Sequence, residues 1–225
     1  LRQFNQDVKI IPLLVNTQDQ AKLEIIFDTF KVNTVYHAAA YKHVPLVEEN
    51  ICEGVKNNVF STLAIIKASI LKKVSNLVLI SSDKAVRPTN IMGASKRVAE
   101  ICMQSIYHNT KNIKTSFSIV RFGNVLESSG SVIPKFKKQI NEGGTVTLTH
   151  KDVTRYFMTI NEASELVIQA GAMGKHSEVF VLDMGKSVRI IDLITKMINL
   201  SGFSVKDINN PTGDIEIKVI GLRPV

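Results

Sequence analysis

Two stretches carry the residue types that acid–base chemistry needs: Ser81-Ser82-Asp83-Lys84, and after it Met92-Gly93-Ala94-Ser95-Lys96. The first ends a short, continuously apolar run, Leu77–Ser81, which reads as a buried parallel strand. Ser82, Asp83 and Lys84 then sit at its C-terminal end, where open α/β sheets bind ligands. Met92 and Lys96 are four residues apart, so on a helix they lie one above the other. A hydroxyl, a carboxylate and two amines can therefore meet in one crevice, a set suited to general acid–base work. The spacing alone fits equally well a polar loop that caps a helix, with Lys96 in solvent.

The elements that must position these groups alternate along the chain. Val8–Val15 reads as a strand, Gln18–Phe30 as a helix on the spacing of Leu23, Ile26, Phe27 and Phe30, and Val35–Ala40 as a short buried strand. Glu48–Leu71 reads as one long helix, Met92–His108 as another, and Phe117–Phe122 as a strand. Apolar strands separated by helices predict an α/β, Rossmann-like doubly wound parallel sheet with both faces covered. The last third is less regular: helices over Val132–Asn141, Asn161–Ala170 and Ile190–Leu200, and strands over Thr145–Leu148, Val179–Leu182 and Ile215–Ile220. Residues 1–124 are taken as a partial dinucleotide-binding domain, and 125–225 as a smaller substrate-binding part interleaved with the sheet.

Composition narrows the function classes. The 225 residues, 44% of them apolar, are ample for a core. No run of about 18 apolar residues is present, so nothing in this segment is expected to span or touch a bilayer, and the N-terminus lacks signal-peptide order. Two cysteines, Cys52 and Cys102, fit a reducing, cytoplasmic setting. Together with His37, His43 and His150 they show no metal-ligand spacing, so no metal is expected. The net charge of +8 favours anionic ligands. The basic residues are scattered, densest at Lys72-Lys73 and at Lys135, Lys137 and Lys138, which reads as a solvated basic face and not as a nucleic-acid site.

The order Ser82-Asp83-Lys84-Ala85-Val86-Arg87-Pro88-Thr89-Asn90-Ile91-Met92-Gly93-Ala94-Ser95-Lys96 resembles the extended short-chain dehydrogenases/reductases, with one departure: Met92 stands where that group's Y-x-x-x-K pair has tyrosine. The departure itself resembles the methionine-type UDP-N-acetylglucosamine 4,6-dehydratases of bacterial polysaccharide and glycan biosynthesis. His37-Ala38-Ala39-Ala40-Tyr41-Lys42-His43-Val44-Pro45, Arg121–Val125, Thr154–Thr159 and Gly221-Leu222-Arg223-Pro224 look like the same family. Glu127 stands where a glycine is usual.

The resemblance implies NAD, in preference to NADP, bound by Asn16, Thr17, Ala38, Ala39, Ala40, Tyr41, Asn58 and Lys96. It implies a UDP-sugar held by Lys42, His43, Asn124, Lys135, Arg155 and Arg223. Of the catalytic set, Ser82 would hold the C4 hydroxyl, Asp83 would be the acid for the C6 hydroxyl and Lys84 the base for C5. Lys96 would bind the nicotinamide ribose. Burial and the charge of Lys96 are expected to push Lys84 toward its basic form. A thioether at Met92 has no proton to exchange, which leaves Asp83 through a water, or Tyr41, to take the C4 proton. A 4-epimerase or reductase of the same fold, and a non-catalytic binding module, are the rival readings. Family members pair through two long helices, so a homo-oligomer is expected, and they often carry N-terminal membrane helices and work at the inner face of the membrane. No G-x-G-x-x-G turn occurs, so the chain reads as a partial unit that binds NAD weakly by itself.

Overall fold

The computed structural model describes residues 8–126, 128 and 131–221. In chain order the first part comprises α1 (Gln20–Thr29), β1 (Thr34–His37), α2 (Val44–Glu49), α3 (Ile51–Val55), a π-helical turn (Lys56–Phe60), α4 (Ser61–Leu71), β2 (Asn76–Ile80), a 3-10 turn (Asp83–Ala85), α5 (Ile91–Asn109) and β3 (Ser116–Arg121). It continues with β4 (Asn124–Val125), α6 (Val132–Asn141), β5 (Val146–Leu148), β6 (Thr154–Arg155), β7 (Phe157–Met158), α7 (Ile160–Met173) and β8 (Glu178–Val181). The chain closes with β9 (Val188–Arg189), α8 (Ile190–Leu200), β10 (Val205–Lys206) and β11 (Ile215–Val219).

Strands β1, β2, β3 and β8 form a parallel sheet in the order β1-β2-β3-β8. Pleating sends alternate side chains to opposite faces. Leu77 and Leu79 of β2, with Phe117 and Ile119 of β3, pack with Leu23 and Phe27 of α1, Ile65 and Ile66 of α4 and Met103 of α5. Val78 and Val120 face the other way, onto Val167 and Ala170 of α7. Burial on both faces is why β2 and β3 read as continuous apolar runs, and the fold is the expected Rossmann-like α/β class. A second, smaller layer joins the parallel β10-β11-β5 sheet to α6 and α8 through Phe136, Ile140, Ile194, Ile198 and Ile215. No helix among the described residues is long and apolar enough to cross a membrane.

Two expectations are corrected. Val8–Val15 is not a strand: apolarity makes a strand only where a neighbour supplies a hydrogen-bond ladder, and among the described residues β1 pairs with β2 alone. Glu48–Leu71 is not one helix. It breaks at Asn50, whose φ of −134° and ψ of 56° leave the helical region and whose amide donates to the Leu46 carbonyl at 2.9 Å. The helix then widens into the π-helical turn that carries Asn58. Asparagine side chains compete with the backbone for hydrogen bonds, which periodicity does not register. Arg223 and Glu127 lie outside the described residues, as do Leu1–Gln3.

Candidate active site

A cleft of about 310 Å³ opens beyond the C-terminal ends of β1, β2 and β3. Ser82, Lys84, Met92 and Lys96 line it together, with Ala38, Ala40, Lys42, His43 and Asn124. Strand β2 and the 3-10 turn deliver Ser82 and Lys84; α5 delivers Met92 and Lys96. Helix α5 starts where it does because the Asn90 carboxamide accepts the Gly93 N–H at 2.8 Å, an N-cap. Gly93 must lack a side chain: a Cβ there would stand 2.2 Å from the Lys84 carbonyl oxygen. The first turn of α5 is thereby pressed directly against the 3-10 turn that carries Asp83 and Lys84.

Within that turn Ser82 Oγ donates to Asp83 Oδ1 at 2.8 Å, and Lys84 Nζ donates to the same oxygen at 3.0 Å. The side chains of Lys84 and Asp83 are 32% and 38% exposed, so the pair is solvated on one side. Ser82 also caps the turn by accepting the Lys84 N–H at 3.2 Å. Asp83 is not part of the cleft wall, but its carboxyl is bonded to two residues that are, Ser82 and Lys84.

Lys96 is the desolvated amine. Its ammonium donates to the Ile80 carbonyl at 3.2 Å, and burial lowers its pKa from the usual lysine range to about 8, against an opposing pull from the Glu100 carboxylate. Nearby, His37 is 5% exposed. Burial first, and the positive charge of Lys96 second, hold its pKa down to about 4. Its tautomer follows from the bonding. The Thr62 hydroxyl gives its one proton to the Asn58 carbonyl at 2.8 Å. The 3.0 Å contact with His37 Nε2 must then be a donation from the ring.

Asn58 is buried with its hydrogen-bonding capacity in use. It accepts from the Tyr41 N–H at 2.7 Å and from the Asn57 amide at 3.1 Å, and it donates to the Tyr41 carbonyl at 3.1 Å and to Ser95 Oγ at 2.9 Å. It ties the loop after β1 to the first turns of α5. Tyr41 itself is 53% exposed and absent from the cleft wall.

One buried group was missing from the sequence-based set. Glu100, with no exposed surface, accepts from Ser81 Oγ at 2.6 Å, Arg97 at 2.9 Å and Arg121 Nε at 2.8 Å, with a second, shorter contact to Arg121. Burial opposes its charge, but these donors prevail and its pKa is lowered. The carboxylate thus clamps the ends of β2 and β3 beside Ser82. An acid three residues after Arg97, on a helix face that also bears Ala99 and Met103, was the available signal.

Of the other expected contacts, Lys42, His43 and Asn124 reach the cleft wall, as do Ala38 and Ala40, whereas Ala39 does not. Asn16 and Thr17 stand in the turn before α1, where the Asn16 carboxamide accepts the Gln18 N–H at 3.0 Å. Lys135, exposed on α6, and Arg155, exposed on β6 and bonded to the Thr154 carbonyl at 2.8 Å, also lie outside that wall.

Known proteins resemble this chain to different depths. The chain is 49% identical over 223 residues to the capsular polysaccharide biosynthesis protein CapD of Staphylococcus aureus, covering 99% of this chain and 36% of that protein. It is 35% identical over 192 residues to a UDP-glucose 4-epimerase of Rickettsia rickettsii (85% of this chain, 53% of the relative). Among solved structures, Pen from Bacillus thuringiensis matches with a TM-score of 0.86 and 36% identity over 99% of this chain and 66% of that one. DesIV, a dTDP-glucose 4,6-dehydratase from Streptomyces venezuelae solved with NAD bound, shares the fold at 16% identity (TM-score 0.82; 96% of this chain, 69% of that one). The chain spans about a third of the length of the curated relative it resembles at 49% identity. The model of one family, described as polysaccharide biosynthesis protein, matches residues 1–225. With the parallel sheet, the Ser82–Lys96 cleft and these matches together, the chain belongs to the polysaccharide biosynthesis protein family, within the extended short-chain dehydrogenases/reductases.

Proposed function

We propose that this chain carries the acid–base centre of a UDP-N-acetylglucosamine 4,6-dehydratase that makes the UDP-4-keto-6-deoxy sugar for surface polysaccharide or glycan synthesis. One observation supports it above the others: Ser82 Oγ and Lys84 Nζ converge on one oxygen of Asp83, beside a cleft that Lys96 and a proton-less Met92 also line.

The residues suit a nicotinamide dinucleotide. Ala38 and Ala40 present only methyl groups to the cleft, and Lys96 has spent one of its three N–H donors. NAD, when bound, supplies the acceptor and later donor of the hydride exchanged with the sugar. Lys96 would hold its ribose hydroxyls with the two remaining donors. The Asp83–Lys84 pair holds one proton, and moving it along the 3.0 Å bond from nitrogen to oxygen creates both catalysts in one step. The free Lys84 amine then removes the C5 proton, while the Asp83 carboxyl, itself outside the wall, protonates the C6 hydroxyl by relay through Ser82 Oγ, which lines the cleft and is bonded to it at 2.8 Å, and water leaves. The C5 proton returns from Lys84, and solvent restores the proton that the pair has given up. Since Met92 can accept no hydroxyl proton and Tyr41 stands outside the wall, the C4 proton leaves through Ser82 to water in the open cleft. Lys42, His43 and Asn124, which line the cleft, bind the nucleotide sugar, and Arg155, Lys135 and Arg223 are the cations assigned to its diphosphate. Exposed Ile51, Phe60, Val98 and Ile101 on the α3–α4 and α5 segments suit pairing with a second copy.

The test is product analysis. The protein is incubated with UDP-N-acetylglucosamine and NAD and the product is identified by proton NMR. A new C6 methyl group with a C4 ketone supports dehydration. Formation of the C4 epimer with C6 intact assigns the 4-epimerase activity that the Rickettsia relative's name carries, and overturns the proposal. Ser82→Ala, Asp83→Asn and Lys84→Met should each lower kcat by roughly 100-fold or more.

A further inference from the structure

Behind the catalytic turn lies a second hollow, of about 370 Å³, which shares no wall residue with the cleft. Three guanidinium groups and one amide reach it: Arg87 from the loop after the 3-10 turn, Arg97 and Gln104 from α5, and Arg121 from the end of β3. On α5 the consecutive residues Lys96 and Arg97 divide between the two openings. We infer that this hollow is a binding site for a small oxyanion of the phosphate class.

The charge account carries the inference. Glu100 is the acid that pairs with these arginines, and it is already saturated by Ser81, Arg97 and Arg121. Its single charge offsets one of three guanidinium charges and leaves the hollow with two in excess. Arg121, with 14% of its side chain exposed, and Arg97, with 38%, are held in place by that carboxylate, so their remaining N–H donors are oriented before any ligand arrives. Arg87 has no hydrogen bond or ion pair among the described residues, and it sits at a backbone φ of 44°, the left-handed region that favours glycine. Arg87 is exposed, so its lack of a partner costs little, but its strained backbone beside two oriented arginines is a cost that folding alone does not require. Guanidinium forks match the paired oxygens of a phosphate. The inference does not depend on the dehydration reaction.

The test uses the full chain titrated with inorganic phosphate, and separately with pyrophosphate, at constant ionic strength against chloride. The arginine Nε–H and the methionine methyl resonances are followed by NMR. Saturable shifts of Arg97 and Arg121, with the Met92 methyl unmoved, are expected; a larger affinity for pyrophosphate would point to a diphosphate-bearing ligand and a smaller one to a single phosphate. Arg87→Ala should weaken binding at least tenfold. Arg87→Gly relieves the backbone and should also lose binding while folding as stably as the parent or more so. Non-saturating shifts, unchanged affinity in Arg87→Gly, or movement of Met92 in step with the arginines would overturn the site.

Discussion

The two cores of this chain are built from different materials. Around the β1-β2-β3-β8 sheet the interior holds His37, Asn58, Ser61, Thr62, Ser81, Ser95, Glu100 and Ser118. The layer of α6, α8, β5 and β11 is closed by Phe136, Ile140, Val146, Leu148, Ile190, Ile194, Ile198 and Ile215. None of the polar and charged residues buried among the described residues belongs to that second layer. A buried polar group costs free energy unless its bonds are made, so each one fixes the partners around it. The first core gives up tolerance for geometry at the C-terminal ends of its strands, where the cleft lies. The second needs only to be filled.

The contrast is broken most severely at Glu100. Glu100→Ala removes the partner of the largely buried Arg121 guanidinium and should cost about 3–5 kcal/mol in urea unfolding, as loss of one member of a buried ion pair generally does. Because Ser81 loses its acceptor as well, amide exchange at Ser82–Lys84 should accelerate even in conditions where the chain stays folded. Ile194→Ala, at a fully buried position of the second core, should cost about 2–5 kcal/mol through lost burial and a residual cavity. Here exchange at Ser82–Lys84 should stay at the parent rate once the global stability change is subtracted. Equal acceleration in both variants would mean that the two cores do not divide the labour in this way.

The sequence reveals the two regions unequally, and the reason is the same material difference. Periodicity reports apolar burial, so α6 and α8 are legible to within a residue, as are β2, β3 and β8, whereas the strand expected over Val35–Ala40 overruns the end of β1 at His37 by three residues. It is blind to polar devices. The break at Asn50, the π-helical turn that turns Asn58 toward Tyr41 and Ser95, and the burial of Glu100 all lie inside apparently ordinary helical stretches. Val8–Val15 fails for another reason: strand character depends on a partner, which no local pattern encodes. The meeting of Ser82, Lys84, Met92 and Lys96 was legible because strand end and helix spacing both constrain it. The separation of Arg155 and Lys135 from the cleft was not, since it depends on how the second layer packs.

A smaller effect follows from His37. Its folded pKa of about 4 lies below the unfolded value near 6.5, so between those limits the unfolded chain takes up a proton that the folded chain refuses. Stability must fall as pH drops below 6.5, and the loss attributable to His37 should reach about 2 kcal/mol at pH 5. His37→Asn retains a donor for Thr62 and should flatten that part of the stability curve. If parent and variant lose stability in parallel from pH 7 to pH 5, the buried-neutral account of His37 fails.

Lys96 gives the subtlest and most local test, because its pKa is lowered in the same direction as that of His37 but its window lies at alkaline pH. Its folded pKa of about 8 is also below its unfolded value, but both lie on the alkaline side, so the penalty for burying its charge is present at neutral pH and is relieved as pH rises from about 8 to about 10.5. Over that window the parent should gain stability relative to Lys96→Met, and the Lys96 ε-carbon resonance should titrate with a midpoint near 8. Replacing Glu100 with glutamine removes the carboxylate that raises the pKa of Lys96, so the midpoint should move lower in Glu100→Gln. A midpoint that stays in the ordinary lysine range would mean that the ammonium is solvated after all. A low midpoint unmoved by Glu100→Gln would keep the desolvation but disconnect Lys96 from the buried network, leaving the polar interior of the first core as scaffolding for the strand ends and not as a regulator of the charge in the cleft.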